Sequence, residues 1–366
     1  MSSNLVAPHI LALTAYEPGK PEDELKREFG IEDVVKLASN ESPYGPSPKV
    51  LDALTANVQL NRYPDPTGHD LRAALAAHHS IPADHIALGN GSNELIDLLC
   101  RVCASRDEHA VFGHPSFPCY RIGSIAQELR YSAVSLRDDL HWNVDDLLDA
   151  VTPKTRLLFV SNPNNPTGSY IAGAELERLL TSVPGEVLVV IDEAYVEYVN
   201  ATDFQPATGL RSTRERLAIL RTFSKAYGLA ALRVGYVIGT PELIFALNRL
   251  RAPFNVGTIG QQAARLALGD QAHLAMIVDA CLRDRAKLRD ALDERGFEVA
   301  PSQANFLLVK MPKAGRAVYE ALLHEGVIVR AMHSPLESWI RVTVGRPEEN
   351  VRFLEGLDRV LRESRG

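Results

Sequence analysis

The chain has 366 residues, of which 46% are hydrophobic and 23% charged, and its net charge at pH 7 is −7. This is the composition of an ordinary folded protein whose core is large enough for about two domains. The acidic balance gives no reason to expect a nucleic acid or an anionic membrane as partner. Apolar runs such as Val187–Ile191 are far shorter than the ~20 residues that a membrane span needs.

The N-terminal region predicts little regular structure. Its first residues include Pro8, Glu17 and Pro18, and no basic segment followed by an apolar core marks a signal peptide. Periodicity is weak from Pro8 to Pro48, so we expect this stretch to wrap over other parts of the chain or over a second subunit.

From Asn93 to Ile238 the sequence alternates strand-like runs with helical patterns, the predicted helices being Asn93–Ala104 and Gly173–Ser182. Strands that alternate with helices form mostly parallel sheets covered on both faces, so the pattern predicts an α/β fold. The predicted strands are His109–Phe112, Leu129–Ser135, Leu157–Ser161, Val187–Asp192, Ala218–Thr222 and Val234–Ile238.

A second, smaller α+β unit is predicted after a long helical region. The helical pattern starts at Pro241 and ends at Gly296, where glycine terminates it. The elements that follow are the strands Asn305–Lys310, Gly326–Arg330 and Ile340–Val344 and the helix Ala314–His324.

Cys100 and Cys103 form a C-x-x-C, a spacing known from redox and zinc sites. They lie on an apolar-periodic helix, and no second Cys or His pair has metal-ligand spacing, so we expect buried thiols and no metal. The histidines are scattered, and His78 and His79 are adjacent rather than four apart. Four cysteines in so long a chain form no disulfide framework, and the cytoplasm is the expected compartment.

Lys225 lies in "RTFSKAYGLAALRVG" (221–235), between an apolar run and a segment of small residues. A lysine amine is nucleophilic only when deprotonated, and burial at a strand end near Arg233 would lower its pKa. The alternative is a solvent-exposed loop lysine.

The segment "ALGNGSNELIDLL" (87–99) predicts a strand end, a glycine turn and a helix capped by Ser92 or Asn93. The free N–H groups at such a helix start bind anions, phosphate above all, although a plain helix cap has the same pattern. Glu94 stands where the third glycine of the dinucleotide fingerprint would fall, which argues against a nicotinamide-dependent dehydrogenase.

Polar residues also follow other predicted strands. Asp192 ends "VVID", where open α/β sheets bind ligands, and the alternative is an N-cap for the next element. Asn165 lies in the turn-forming "VSNPNNPTG" (160–168) and could offer its amide to a ligand. Arg330 and Arg341 lie at the ends of predicted strands. Each guanidinium group could bind a carboxylate or phosphate with two hydrogen bonds, or it could form a surface salt bridge.

In combination, these motifs resemble those of the fold-type-I, pyridoxal-phosphate-dependent aminotransferases over nearly the whole chain. The most specific are "SNPNNPTG", "DEAY" and "SKAYGLAALRVG", in this order along the chain. Within that family the chain is most similar to the histidinol-phosphate aminotransferase branch. The segments that carry this similarity are "LTAYEPGKP" (13–21), "SNESPYGPSP" (39–48), "NRYPDP" (61–66), "RAPFNVG" (251–257) and "ANFLLV" (304–309). Proline is more usual in that branch where this chain has Ala15, which bears on the placement of Tyr16.

The resemblance implies a large domain with a mostly parallel seven-stranded sheet flanked by helices, plus a smaller α+β domain. Residues 1–50 would form an N-terminal arm and part of the small domain, and residues 51–260 the cofactor-binding domain. Residues 261–366 would form an interdomain helix and the rest of the small domain. A homodimer is implied, in which Tyr63 reaches into the neighbouring subunit's site.

The resemblance also implies roles for individual residues. Lys225 would bond covalently to the cofactor aldehyde and then carry the proton between substrate and cofactor. Asp192 would keep the pyridine nitrogen protonated, so that the ring accepts electrons. Asn165 and Tyr195 would bond the phenolic oxygen, and Phe117 would stack on the ring. The implied phosphate ligands are Gly91, Ser92, Asn93, Thr222, Ser224 and Arg233, with Tyr63 from the partner.

The implied reaction is transamination between L-histidinol phosphate and 2-oxoglutarate, a step of histidine biosynthesis that yields imidazole acetol phosphate and L-glutamate. Arg341 matches the family's carboxylate-binding arginine, and Arg330 matches a second cation of this branch. Two arginine forks at one locus could bind either anion, with Tyr16 and Asn165 adding hydrogen bonds.

Three other functions remain open from the sequence. A phenylalanine or tyrosine aminotransferase would have the same cofactor residues. A threonine-phosphate decarboxylase on this scaffold would need no amino acceptor. A ligand-sensing domain of a transcriptional regulator would carry a basic DNA-binding module, which the acidic charge disfavours.

Overall fold

The structure is a computed structural model that describes residues 5–15, 17–54 and 59–363. The predicted substrate residue Tyr16 lies outside these ranges. The strands of the described residues are β1 (Val35–Lys36), β2 (Ile86–Asn90), β3 (His109–His114), β4 (Arg130–Ser135), β5 (Thr155–Ser161), β6 (Leu188–Asp192), β7 (Leu217–Thr222), β8 (Val234–Ile238), β9 (Phe306–Lys310), β10 (Val327–Ile328), β11 (Arg330–Ala331) and β12 (Trp339–Thr343).

Seven strands form one sheet in the order β2-β8-β7-β6-β5-β3-β4. Strand β8 runs antiparallel to both of its neighbours, and the other pairs are parallel. The central strands are continuous apolar runs, and residues such as Leu158, Val190 and Ile219 are fully buried, as expected for strands covered on both faces. The predicted, mostly parallel seven-stranded sheet is therefore confirmed.

Helices cover both faces of this sheet. The described residues form α1 (Pro8–Leu11), α2 (Glu22–Phe29), α3 (Pro48–Leu54), α4 (His69–His79), α5 (Gly91–Cys103), α6 (Cys119–Ala126), α7 (Val144–Asp149), α8 (Gly173–Ser182), α9 (Pro241–Leu250), α10 (Thr258–Leu268), α11 (Gln271–Asp293), α12 (Gly315–His324) and α13 (Pro347–Glu363). One core cluster joins the sheet to α4, α8 and α10, and a second joins it to α5, α6 and α9.

A three-stranded antiparallel sheet, β11-β12-β9, packs with α11, α12 and α13 around a separate core. The predicted single strand Gly326–Arg330 is wrong, because the chain changes partners within it. Strand β10 pairs in parallel with β1, and β11 pairs with β12. The N-terminal region thus wraps over another part of the chain, as expected, and adds a strand to it. The domain boundaries at residues 50 and 260 stay a prediction.

The N-terminal region also touches the loop that carries Lys225. Gly228 has a φ of +68°, and a Cβ atom there would lie 2.3 Å from the carbonyl oxygen of Gly45. Only glycine combines this backbone conformation with so close a backbone contact. Residues 39–46 can therefore lie directly against the Lys225 loop.

All four cysteines are free thiols. Cys100 is buried and Cys103 half-buried, and burial raises the pKa of both thiols to about 12. These thiols are therefore protonated and unreactive at neutral pH. Within residues 5–15, 17–54 and 59–363, no group of three or more His, Cys, Asp or Glu side chains could hold a metal ion, and no helix is long and apolar enough to cross a membrane.

Candidate active site

The carboxyl ends of β5, β6 and β7 bring three of the predicted residues to one edge of the sheet. Asp192 is the last residue of β6, and Asn165 and Lys225 lie in the loops that follow β5 and β7. These strands are parallel neighbours, so their carboxyl ends share the edge at which open α/β sheets bind ligands.

The amine of Lys225 is held away from bulk water. Its Nζ donates to the carbonyl oxygen of Ser39 at 3.1 Å and lies 5.8 Å from the centre of the Tyr195 ring. Burial and the positive charges of Arg341 and Arg233 lower the pKa of Lys225 to about 8, against the opposing negative charges of Glu41 and Asp192. The surroundings thus increase the uncharged, nucleophilic fraction of this amine.

Asp192 is a buried carboxyl group with neutral hydrogen-bond donors on both oxygens. The hydroxyl of Tyr120 donates to Oδ2 at 2.9 Å, and the backbone N–H of Ala194 donates to Oδ1 at 3.2 Å. Burial raises the pKa of Asp192 to about 6. The next residue, Glu193, instead forms an ion pair with Arg221 at 2.6 Å.

Residues 38–40 form a wall of the site. The carbonyl of Ala38 accepts from Arg341 at 2.6 Å, and the next carbonyl accepts from Lys225. The side-chain amide of Asn40 donates to Tyr195 Oη at 3.0 Å, and its backbone N–H donates to Thr343 at 3.0 Å. This short segment therefore contacts both the large sheet's loops and the small sheet.

The start of α5 and the side chain of Arg233 meet. The prediction that Ser92 or Asn93 caps this helix is wrong, because the helix begins at Gly91 and both residues lie within its first turn. The side chain of the N-cap residue Asn90 does not cap the helix, and the backbone N–H of Asn90 donates to Glu94 Oε2 at 2.6 Å. A Cβ atom at Gly91 would lie 2.4 Å from a guanidinium nitrogen of Arg233. Unpaired N–H groups and a cation around a glycine-sized gap suit a phosphate.

Hydroxyl groups extend this anion site toward β7. Arg233 Nη1 donates to Ser224 Oγ at 3.2 Å, and the backbone N–H of Ser224 donates to Thr222 Oγ1 at 3.1 Å. The predicted phosphate ligands from α5, β7 and the loop before β8 are thus gathered in one place.

Arg330 and Arg341 are direct cross-strand partners in the β11–β12 pair. Opposite residues of antiparallel strands present their side chains on the same face. Arg341 is buried, donates to Asn165 Oδ1, and lies 5.3 Å from the centre of the Phe306 ring. Arg330 lines a separate cavity of about 300 Å³ together with Lys20, Glu17 and Glu24. Arg341 thus joins the small sheet to the Lys225 site, and Arg330 lies beside it on the same sheet.

Phe117 and Tyr63 occupy different environments. Phe117 is half-buried and meets the Tyr120 ring edge-on at 5.8 Å. Tyr63 is 81% exposed, and its ring stacks on Phe254 at 4.5 Å. The structure of a single chain therefore places Phe117 near Asp192 and leaves Tyr63 at the surface.

Sequence reasoning missed Ser39, Asn40 and Tyr120. Asn40 lies in one of the segments that carry the family resemblance, so the motif indicated this region without indicating that Asn40 contacts the site. Ser39 acts through its backbone carbonyl, for which side-chain chemistry gives no signal. Tyr120 has the pattern of an ordinary core aromatic residue.

Comparison with known proteins decides the family. A model of the family described as "Aminotransferase class I and II" matches residues 32–357. The chain belongs to this family. A histidinol-phosphate aminotransferase of Anaeromyxobacter is 42% identical over 98% of this chain and 99% of its own. Histidinol-phosphate aminotransferase 2 of Pseudomonas aeruginosa is 43% identical over 98% of each chain.

A solved structure shows that the similarity extends through the aminotransferase fold. Histidinol-phosphate aminotransferase from Sinorhizobium meliloti, in complex with pyridoxal 5′-phosphate, superposes with a TM-score of 0.90 and 29% identity, covering 99% of both chains. The predicted family and fold are confirmed.

We expect Lys225 of the cofactor-free aminotransferase to titrate with a pKa of about 8. Arg341→Gln should raise this pKa, because it removes a cation that disfavours the ammonium form. The pH dependence of Lys225 labelling by an amine-reactive reagent, followed by mass spectrometry, measures both. Arg289→Gln, which removes an exposed arginine paired with Asp293, should leave the midpoint unchanged. A midpoint near 10.5, the ordinary lysine value, would contradict the expectation.

Proposed function

We propose that this aminotransferase transfers the amino group of L-histidinol phosphate to 2-oxoglutarate with pyridoxal 5′-phosphate as cofactor. The products are imidazole acetol phosphate and L-glutamate, and the reaction belongs to histidine biosynthesis. The observation that carries the proposal is that Arg341, whose charge acts on Lys225, has Arg330 as its direct cross-strand partner. Relatives above 40% identity over nearly the full chain carry the name of this enzyme.

The residues present fit pyridoxal phosphate at both ends of the molecule. A side chain at position 91 would collide with Arg233, so Gly91 allows the helix start and the guanidinium to share one phosphate. At the other end, the known donors to the buried Asp192 are a hydroxyl and a backbone N–H. A protonated pyridine nitrogen would give this carboxylate the cationic partner that burial demands.

The cofactor supplies an aldehyde that bonds amines and a ring that accepts electrons when a proton leaves the substrate carbon. Lys225, with its lowered pKa, anchors the aldehyde and later takes up and returns the proton. Asp192 holds the proton on the pyridine nitrogen. Phe117, close to Asp192 through Tyr120, covers one face of the ring.

Asn165 and Tyr195 are the proposed partners of the cofactor's phenolic oxygen. Tyr195 Oη accepts from Asn40 at 3.0 Å, which orients the tyrosine hydroxyl. Asn165 Oδ1 accepts from Arg341, so its NH₂ group is the part that donates. Both side chains are oriented before the ligand arrives, which lowers the cost of binding it.

The two arginines explain how one site accepts two kinds of substrate. Histidinol phosphate carries a phosphomonoester where glutamate carries its α-carboxylate. A guanidinium fork pairs with either anion, and Arg330 and Arg341 offer two forks on one face. Asn165 and Tyr16 would add hydrogen bonds to the same anion.

A homodimer completes the proposed site. Tyr63 and Leu60 are 81% and 82% exposed, and large apolar side chains exposed together mark interaction surfaces. In the dimer the Tyr63 hydroxyl would reach the partner's cofactor phosphate. A cytoplasmic location is part of the proposal, because the free state of all four cysteines suits a reducing compartment.

The first test is a single-turnover absorbance experiment on the cofactor-loaded protein. Histidinol phosphate and glutamate should each rapidly remove the visible absorption of the bound cofactor as the amino group moves onto it, and phenylalanine should do so slowly. Phenylalanine reacting as fast as histidinol phosphate would favour an aromatic aminotransferase. Release of CO₂ from threonine phosphate without any acceptor would favour the decarboxylase.

Arg330→Ala should lower kcat/KM for histidinol phosphate about 10- to 100-fold, since it removes one charge-assisted contact to the phosphate. Steady-state kinetics with 2-oxoglutarate as acceptor measure this. Arg295→Ala removes an arginine from the same unit that pairs with Asp358 at the surface, and it should leave kcat/KM unchanged. An unchanged value for Arg330→Ala would refute the shared anion site.

Mixed dimers test the role of Tyr63. The heterodimer of a Lys225→Ala chain and a Tyr63→Ala chain, purified after co-expression, should recover about half of the wild-type activity although each variant alone is impaired, because one of its two sites has both residues. Co-expression of Lys225→Ala with Asp192→Ala should recover nothing, since both residues belong to the same chain's site. Recovery in neither case would show that Tyr63 does not act across an interface.

A further inference from the structure

The proposed transamination assigns no role to Tyr120, yet Tyr120 is hydrogen-bonded to Asp192, which has one. Tyr120 lies on α6, is fully buried, and its hydroxyl donates to Asp192 Oδ2 at 2.9 Å. A buried tyrosine hydroxyl normally needs a partner, and many polar groups could serve. Here the partner is the carboxylate proposed to meet the cofactor ring.

The ring of Tyr120 is fixed from two sides. It stacks on Phe159 of β5, with ring centres 5.0 Å apart and planes 11° apart. The Phe117 ring lies nearly perpendicular to it, with ring centres 5.8 Å apart. Side chains packed in this way keep one rotamer, so the hydroxyl has a fixed direction toward Asp192.

The groups around Asp192 act on its charge in opposite directions. Burial and the negative charge of Glu193 favour the neutral acid, and the thiol of Cys119 lies close by. The Tyr120 hydroxyl, the backbone N–H of Ala194 and the charge of Lys225 favour the carboxylate. Among these, the Tyr120 hydroxyl is the side-chain hydrogen bond to the carboxyl group itself, so it favours both the charged form and one orientation of it.

We propose that Tyr120 is a positioning residue that holds Asp192 as an oriented carboxylate, and that it thereby sets how firmly the protein binds and protonates the pyridine nitrogen of pyridoxal phosphate. The inference rests on the proposed role of Asp192 toward the cofactor. Tyr120 acts through Asp192 and makes no contact of its own with the substrate.

Tyr120→Phe removes only the hydroxyl and keeps the ring that packs on Phe159. Loss of a hydrogen bond to a charged group should weaken the binding of pyridoxal phosphate to the cofactor-free protein about tenfold, as measured by equilibrium dialysis. The kcat for histidinol phosphate should fall while its KM stays the same, because the ring accepts electrons less well and the substrate anion site is untouched.

The visible absorption of the bound cofactor gives a second readout. If the pyridine nitrogen is less firmly protonated, the ring would withdraw less electron density from the carbon–nitrogen bond to Lys225. The lysine nitrogen in that bond would then stay protonated to a higher pH. The midpoint of the pH-dependent absorption change should therefore move upward in Tyr120→Phe. A general loss of packing would not move this midpoint.

Tyr236→Phe is the matched control. Tyr236 is also buried, and its hydroxyl lies 2.9 Å from His79 Nε2 in the core on the other face of the sheet. Both variants remove a buried tyrosine hydroxyl and keep its ring, so both should lower the melting temperature of the cofactor-free protein, Tyr120→Phe by at least as much because its partner is a carboxylate. Cofactor affinity and the absorption midpoint should change in Tyr120→Phe alone.

A double-mutant cycle decides whether Tyr120 acts through Asp192. In an Asp192→Asn background, Tyr120→Phe should change cofactor affinity less than twofold. An equal, tenfold loss in both backgrounds would overturn the proposal, as would unchanged affinity and midpoint in the single variant. Failure of the wild-type protein to bind pyridoxal phosphate would instead refute the proposed function.

Discussion

Burial of an excess of positive charge governs the site. Burial lowers the pKa of Lys225, the positive charges of Arg341 and Arg233 lower it further, and the negative charges of Glu41 and Asp192 oppose the shift. Three mutually repelling cations against two carboxylates leave a buried excess of positive charge, which is unfavourable. A phosphate at Arg233 and a substrate anion at Arg341 would each relieve the repulsion, and the lysine gains nucleophilic character from the same imbalance. Binding and reactivity thus have one electrostatic cause.

The sheet edge makes this arrangement possible, and most of the sheet could be predicted. Long apolar runs bounded by turns indicated β5, β6, β7 and β8, and Val234–Ile238 was predicted with its observed bounds. The direction of β8, antiparallel to both neighbours, was not predictable, because a buried run has the same composition in either direction. The division of the predicted strand at 326–330 depends on two partners distant in sequence.

The candidate site was predictable where function requires unusual side chains after a strand, as at Asn165, Asp192 and Lys225. It was not predictable where function is carried by ordinary groups placed by tertiary packing. The carbonyls of residues 38 and 39 have no side-chain signature, and Tyr120 differs from other core tyrosines only in what its hydroxyl meets. The wrong cap at Ser92 or Asn93 has a similar origin: propensity favours those residues, but the helix begins at Gly91, against Arg233.

The wall formed by residues 38–40 has a consequence for the order of events during folding. Its bond from Asn40 to Thr343 spans 303 positions of sequence, so closing it carries a large loop entropy and belongs to the slow, non-local part of folding. On the ribosome the large sheet can form long before Thr343 is made. A growing chain therefore offers the phosphate ligands and Lys225 before it offers Arg341 and Thr343, the residues of the small sheet that hold residues 38–40 in place. Tight retention of the cofactor is then a property of the finished chain, and the cofactor stabilises the completed fold more than it nucleates it.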